Sequence, residues 1–536
     1  MSVKKSVRKA IAAAVAVGTF AMMPFGYAEE NTVDVTVQQN STLQGNVDDV
    51  ERSLSKEIKE ANELLTNENY SAAKNILEQV MKKEPKNMEG YSLLGWVYAG
   101  LNDENKALGI CNEAIAMSPQ NAIVYKNRAN VYMAFENFDK AIEDYTKAIE
   151  LAPNYVKAYS NRARAYKKLG NNEGALEDYN KAIEINPLDK AVYCSRAELY
   201  LKMGKYEDAF ADCAKAIELD PKYARAYTVR SDVFKKLGQI EKAMAEAEKA
   251  IEVDPTSSLA YISHAVICNS MKKYEDAIAD YTKVIELGRI ASIENTVYFA
   301  RAKMYLKVGK YEKAVADCTK SIELDPTFAK AYSTRSKAYE HLRKYGQALA
   351  DITKSIELDP QNKFEYMKRA TIYMKLKDNI HAVDDYTRAI EIPPAHDLAY
   401  CGRGTVYMLL KEYTKAIDDY TKAIEFAPQN RVGYCGRSTA YKALKEYTKA
   451  IDDYTKAIEV APNETAGYFG RGDVYTVLGE YQKAIEDYTK AIELKPNDMM
   501  AYERRAMAYL MMGEKEKAEA DYKTFKKMFE KLTKKK

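Results

Sequence analysis

The residues of this chain that could do chemistry are few and scattered. Four histidines stand at His264, His341, His381 and His396, and seven cysteines at Cys111, Cys194, Cys213, Cys268, Cys318, Cys401 and Cys435, within 536 residues. No His-Glu-x-x-His, Cys-x-x-Cys or phosphate-loop pattern occurs, so zinc hydrolysis, dithiol exchange and nucleotide binding lack their frameworks. The acid pairs Asp384-Asp385, Asp418-Asp419 and Asp452-Asp453 are adjacent in sequence and do not face each other on a helix, which makes a carboxylate dyad a poor expectation. Gly402-Arg403-Gly404 and Gly470-Arg471-Gly472 are glycine-rich, yet no strand precedes them, and small residues there serve helix packing. The chain is therefore expected to be no enzyme, with no cofactor and no metal.

One pattern of charge does recur. Arg128, Arg162, Arg196, Arg230, Arg301, Arg335, Arg369, Arg403, Arg437, Arg471 and Arg505 each have an acid sixteen residues later, such as Asp144, Asp178 and Asp453. Such a ladder is expected to staple one helix to the next, within or between structural units.

What must position these residues is a repeat. Prolines fall every 34 residues from Pro85 to Pro255 and again from Pro326 to Pro496, with a step of 71 between the two series. With proline as position 32, fourteen units start at 54, 88, 122, 156, 190, 224, 258, 295, 329, 363, 397, 431, 465 and 499, and a three-residue insertion falls near Ser292 to Glu294. Position 20 is alanine in all fourteen units, from Ala73 to Ala518; position 8 is Ala, Gly or Ser; position 4 is tyrosine in thirteen. Small residues at 8 and 20 let two helices approach closely, with aromatics at 4, 11 and 24 filling the space beside them. Apolar residues recur at three and four, helix A tends to stop at glycine (Gly170, Gly204, Gly238, Gly309, Gly479, Gly513), and the proline ends helix B. A unit this small cannot bury its own apolar face, so the units must stack.

Tyr159, Ala163, Tyr166, Gly170, Ala175, Tyr179, Ala182 and Pro187 together resemble one tetratricopeptide repeat, and the pattern returns from residue 54 to about 532. The resemblance implies an all-α fold, a right-handed α-solenoid of about fourteen 34-residue helix–turn–helix units. It also implies a non-enzymatic scaffold that holds partner protein or peptide segments in a concave groove lined by positions 2, 5, 9 and 12 of helix A. Carried onto this sequence, those positions supply a mostly basic stretch at Lys157, Arg164, Lys167, Arg225 and Lys235, with Glu198 and Asp232 between. They also supply an apolar stretch at Phe364, Met367, Met374, Leu398, Cys401, Met408, Val432, Cys435 and Phe469. Trp96, the single tryptophan, stands near the groove's start as a candidate anchor. The carboxylate clamp of chaperone-binding relatives is matched by Lys126, Asn130 and Asn161 and then broken by Ala191 and Ser195. A weaker acidic-peptide site near Lys126, Asn130, Asn161 and Arg164 remains open.

The start of the chain is of another kind. Lys4, Lys5, Arg8 and Lys9 precede an apolar run from Ala10 to Met23 and the small-residue end Gly26-Tyr27-Ala28, the layout of a cleaved export signal over residues 1–28. The run is shorter than the roughly 20 residues a membrane helix needs, so no membrane span is expected in the mature chain and its place is periplasmic or extracellular. Residues 29–53 read as a flexible polar leader and 533–536 as a basic tail. From Glu29 onward 77 Lys and Arg face 78 Asp and Glu, because four of the 81 cations belong to the signal; that balance argues against a nucleic-acid partner. Cysteines at position 24 (Cys111, Cys213, Cys318) read as core fillers, and Cys401 and Cys435 lie one repeat apart, where helix axes stand about 8–10 Å from each other and a disulfide would need distortion. An alternative function is a structural or assembly component of the cell envelope, self-associating or accessory to polysaccharide or outer-membrane assembly.

Overall fold

The computed structural model describes residues 56–66, 69–84, 87–288, 293–394 and 396–533. The export signal, the leader, Ser292 of the insertion and the last three residues of the tail lie outside the described residues. Among the described residues there are 28 helices and no strand, an all-α solenoid, and the helices fall two to each of the fourteen units. Helix A of the unit at 156 runs Val156–Leu169 and helix B Asn172–Ile185; in the unit at 431 they run Arg431–Ala443 and Tyr447–Val460. The last helix, Lys515–Thr533, is the longest at 19 residues. The helices divide into two compact units, one up to Val308 and one from Gly309.

Among the described residues the turn between helix A and helix B has one conformation. Position 15 is left-handed in thirteen units, with φ between 57° and 84°. Six of these residues are the glycines read from the sequence, which adopt this region without a Cβ penalty. The other seven are Asn102, Glu136, Lys272, Arg343, Lys377, Lys411 and Lys445, which adopt it against their preference. Sequence reasoning stopped at the glycines because it looked for the residue type the turn prefers, while the packing of the two helices imposes the turn on whatever stands there. Side chains cap several helix starts: Asn430 accepts from Gly433 N and Asn171 from Gly174 N, each at 3.0 Å.

The small residues do what their size suggests. Alanine at position 20 is fully buried in all fourteen units, and the position 8 residues Ala129, Ala163, Ser231 and Ala370 are equally inaccessible. Tyrosine at position 4 reaches back to the preceding turn: the hydroxyls of Tyr125 and Tyr227 donate to the carbonyls of Pro119 and Pro221 at 3.1 Å. The repeating proline thus ends one helix and offers its carbonyl to the next unit.

Candidate functional site

The arginine ladder is present, mostly as a two-point fork; Arg230 differs, its Nε and Nη2 both meeting the single oxygen Oε2 of Glu246 at 2.9 and 2.8 Å. Arg162 Nε and Nη2 donate to Asp178 Oδ2 and Oδ1 at 2.8 and 2.7 Å, and Arg196, Arg335, Arg369, Arg403, Arg437, Arg471 and Arg505 repeat the fork on the acid sixteen residues on. These pairs join helix A to helix B inside a unit. A second bond, absent from the sequence reading, joins units: Nη1 of Arg162 donates to Thr146 Oγ1 at 2.9 Å, and Arg403, Arg437 and Arg471 reach Thr387, Thr421 and Thr455 at 3.0 Å. The acceptor is position 25 of the preceding unit, and its recurring Thr or Asn was the available signal. Desolvation pushes Asp178, Asp212 and Asp487 up, against the pull of the guanidinium on each. The ladder is structural machinery.

Three cations of the basic stretch are paired with its two carboxylates. Lys167 pairs with Glu198 at 3.1 Å, Arg225 Nη2 with the same carboxylate at 2.8 Å, and Lys235 with Asp232 at 3.0 Å. Lys157 is exposed, whereas Lys126 is buried, 3% accessible, so it does not lie open to a ligand. Asn161 Nδ2 donates to Asn130 Oδ1 at 3.2 Å, Tyr145 donates to the same oxygen, and Arg164 Nη1 reaches Asn161 Oδ1 at 3.4 Å. The structure therefore brings Asn130, Asn161 and Arg164 together, with their hydrogen-bonding capacity partly spent on one another.

The apolar stretch divides by position. Cys401 is buried, and Met367, Met374 and Met408 pack on the clusters built around Tyr386 and Tyr420. Phe469 stacks edge-on against Tyr488 at 5.7 Å, and Cys435 is half-buried. Met367, Met374, Cys401, Met408 and Phe469 thus pack against the position 24 tyrosines, which corrects the expectation that they line an open groove. Trp96 likewise packs on the first core cluster. Position 2 remains open: Phe364 is 47% exposed, Leu398 48% and Val432 44%, in three successive helices A. Met500, at position 2 of the last unit, is also exposed, and the sequence reading passed over it. Gly402, Gly436 and Gly470, at position 6, let the tyrosine ring of the preceding helix B lie on the helix backbone: a Cβ there would come within 2.2 to 2.4 Å of Tyr386, Tyr420 or Tyr454.

Nucleophilic chemistry finds no support in the thiols. All seven cysteines are free; six are buried and Cys435 is half-buried. Burial pushes Cys111 and Cys318 up to about 12 and Cys401 up to about 11, so these stay protonated. One cluster of different type occurs at the unit starting at 258, where His264 Nδ1 lies 2.6 Å from Asp280 Oδ2 and Cys268 Sγ lies 3.7 Å from His264 Nδ1. The hydrogen bond to Asp280 and the contact with Cys268 raise His264 to about 10.

The repeats match family models described as tetratricopeptide repeat over 58–122, 122–155, 156–188, 191–223, 224–257, 259–287, 296–328, 329–362, 366–396, 398–430, 433–464, 466–498 and 487–520. The chain belongs to the tetratricopeptide repeat family. That family consists in general of non-enzymatic scaffolds that bind protein partners. No curated protein matches the chain. Among solved structures, it is similar to the yeast protein Tom70 (17% identity, 75% of this chain and 96% of that one, TM-score 0.39). It is also similar to the APC/C hetero-tetramer Cut9–Hcn1 (16%, 85% and 97%, TM-score 0.38) and to the MamA protein (26%, 32% and 94%, TM-score 0.29). Among the described residues no helix is long and apolar enough to cross a membrane.

Proposed function

We propose that this tetratricopeptide repeat protein is a scaffold that holds an apolar segment of a partner protein along position 2 of the helices A from Lys363 to Ala443, and that it works outside the cytoplasm. The observation that carries the reading is the exposure of Phe364, Leu398 and Val432 in three successive units, where the core has no use for them. Covering the remaining exposed part of each side chain contributes on the order of 1 kcal/mol, so the three together give only a weak interaction. Neighbouring polar groups must supply the rest of any tight affinity. The export part of the reading rests on the residues from Lys4 to Ala28 alone; N-terminal sequencing of the protein made in a secreting host should begin at Glu29, and an N-terminus at Met1 or Ser2 would refute it.

A specific observation favours a second reading, self-association: Met500, Met507, Leu510 and Met511 are all exposed on the last helix A. One experiment separates the two. Residues 29–536 and the variant F364D/L398D/V432D are compared by circular dichroism, by light scattering, and by selection from a displayed peptide library. Peptides held by the native chain and lost by the folded variant support the groove. Equal retention moves the contact elsewhere, and a dimer that persists in the variant and dissociates on Met507→Asp and Met511→Asp supports self-association.

A further inference from the structure

The ladder is interrupted once. In the twelve units from 122 onward position 7 is arginine eleven times, and the exception is His264. In the same twelve units position 11 is tyrosine or phenylalanine eleven times, and the exception is Cys268, in the same unit. A histidine alone would suffice to keep a charged partner for Asp280. A cysteine in place of the aromatic one helix turn on is not needed for that, and it deletes ring volume from the core. Both departures exchange a packing or ladder residue for one that binds transition metals through nitrogen or sulfur.

We propose that His264, Cys268 and Asp280 form a binding site for a divalent ion of the zinc class. The candidate ligand atoms of the three side chains all lie within 4.8 Å of one another. His264 and Cys268 sit at i and i+4 on one face of the helix Ser258–Ser270, with Cys268 Sγ 3.7 Å from His264 Nδ1 and 3.9 Å from Nε2. Asp280 comes from the partner helix Tyr274–Leu287, its Oδ2 2.6 Å from His264 Nδ1. Zinc–ligand bonds of about 2.0–2.3 Å in a tetrahedron set the ligand atoms roughly 3.4–3.8 Å apart. The sulfur and nitrogen are already at that spacing, and the His264–Asp280 pair has to part by about 1 Å.

The donor set selects the metal. Thiol sulfur and imidazole exclude calcium and magnesium, which take oxygen, and the mixed sulfur, nitrogen and oxygen set suits zinc. Cys268 belongs to the buried apolar cluster that also holds Met244, Ile267 and Tyr281, while the His264 side chain keeps 17% exposure and so leaves a path for the ion. The fourth ligand of such an ion would be water or, by its place in the repeat, Glu248. Glu248 occupies position 25 of the preceding unit, the register from which Thr146 and Thr421 meet the position 7 side chain of the next unit, and a carboxylate stands there only beside the one histidine of the ladder and at Glu78. A bound ion would fasten helix A to helix B where the arginine fork is missing.

The test uses zinc chloride and purified residues 29–536 in competition with a chromogenic chelator, with cobalt(II) as a spectroscopic substitute. The native chain should take up one ion, show thiolate-to-cobalt charge transfer, and melt at a higher temperature with zinc than with EDTA. His264→Arg restores the ladder and so keeps the fold; it should weaken zinc binding by more than the roughly 10–100-fold that loss of an outer-shell partner costs, as should Cys268→Ser, and both should melt independently of zinc. Zinc bound equally by the native chain and both variants would place the ion elsewhere and overturn the proposal. So would a native chain that binds no zinc, or one whose cobalt complex lacks the sulfur band.

Discussion

Arg162 and Asp178 face each other across one helical hairpin in a two-point fork, Nε to Oδ2 at 2.8 Å and Nη2 to Oδ1 at 2.7 Å, with side chains only 16% and 6% accessible. The fork makes the two helices one object. Because desolvation already pushes Asp178 up, the pair adds modestly to stability while intact and costs much more when half of it is removed. Arg162→Met should therefore destabilise its repeat by about 3 kcal/mol, leaving a buried carboxylate without its partner. Adding Asp178→Leu should recover most of that loss. Urea unfolding of the two single variants and the double variant checks it; a double variant less stable than Arg162→Met would contradict the account.

The left-handed position offers a test of opposite sign. Lys411 and Lys445 hold φ of 62° and 64° where Gly204 and Gly479 hold 76° and 77°. Replacing Lys445 with glycine removes a penalty of about 1–2 kcal/mol and returns part of it through the freer unfolded chain, so a net gain of about 0.5–1 kcal/mol is expected. Gly479→Ala should lose about 1 kcal/mol for the same reason. Thermal melting of both variants reads the two signs directly.

Helix propensity and packing disagree at Gly436. Alanine is the better helix former by about 1 kcal/mol, yet its Cβ would lie 2.4 Å from the ring of Tyr420. Overpacking costs about 1–3 kcal/mol, so Gly436→Ala should destabilise. Gly109 and Gly346 are helical with nothing near the same Cβ position, and alanine at either should stabilise. Chemical denaturation of the three variants separates propensity from contact.

What the sequence made legible follows from the repeat itself. Ala73 to Ala518 at position 20 and the Arg–Asp spacing of sixteen recur often enough for their physical reasons to be read before any coordinates. The groove was less legible because a repeat position has no single environment. Met367 and Met374 were read as open contact surface, and they pack under Tyr386 instead, since position 24 brings a ring there in some units and a smaller residue in others. Lys126 was read as a ligand-facing cation and is buried. The cluster at His264 escaped because each histidine was compared with the other histidines; comparison with the arginines at its own position shows it at once.

The bond between units gives the last prediction. Thr421 accepts Arg437 Nη1 at 3.0 Å, and Thr455 accepts Arg471 Nη1 at the same distance. The segments 411–425 and 445–459 that carry these threonines are identical in sequence, so the two sites are a built-in replicate. Valine keeps the shape and removes the acceptor. Thr421→Val and Thr455→Val should each cost about 1.5 kcal/mol, the lower end of the range for a hydrogen bond to a charged donor because the bond is only half-buried. Because stability in a stacked array is a sum of unit terms and neighbour terms, the loss belongs to the neighbour term. Hydrogen exchange should then show faster opening in the helices on both sides of the altered junction and little change three units away. A uniform change along the array would mean that the bond contributes nothing specific to the coupling of adjacent repeats.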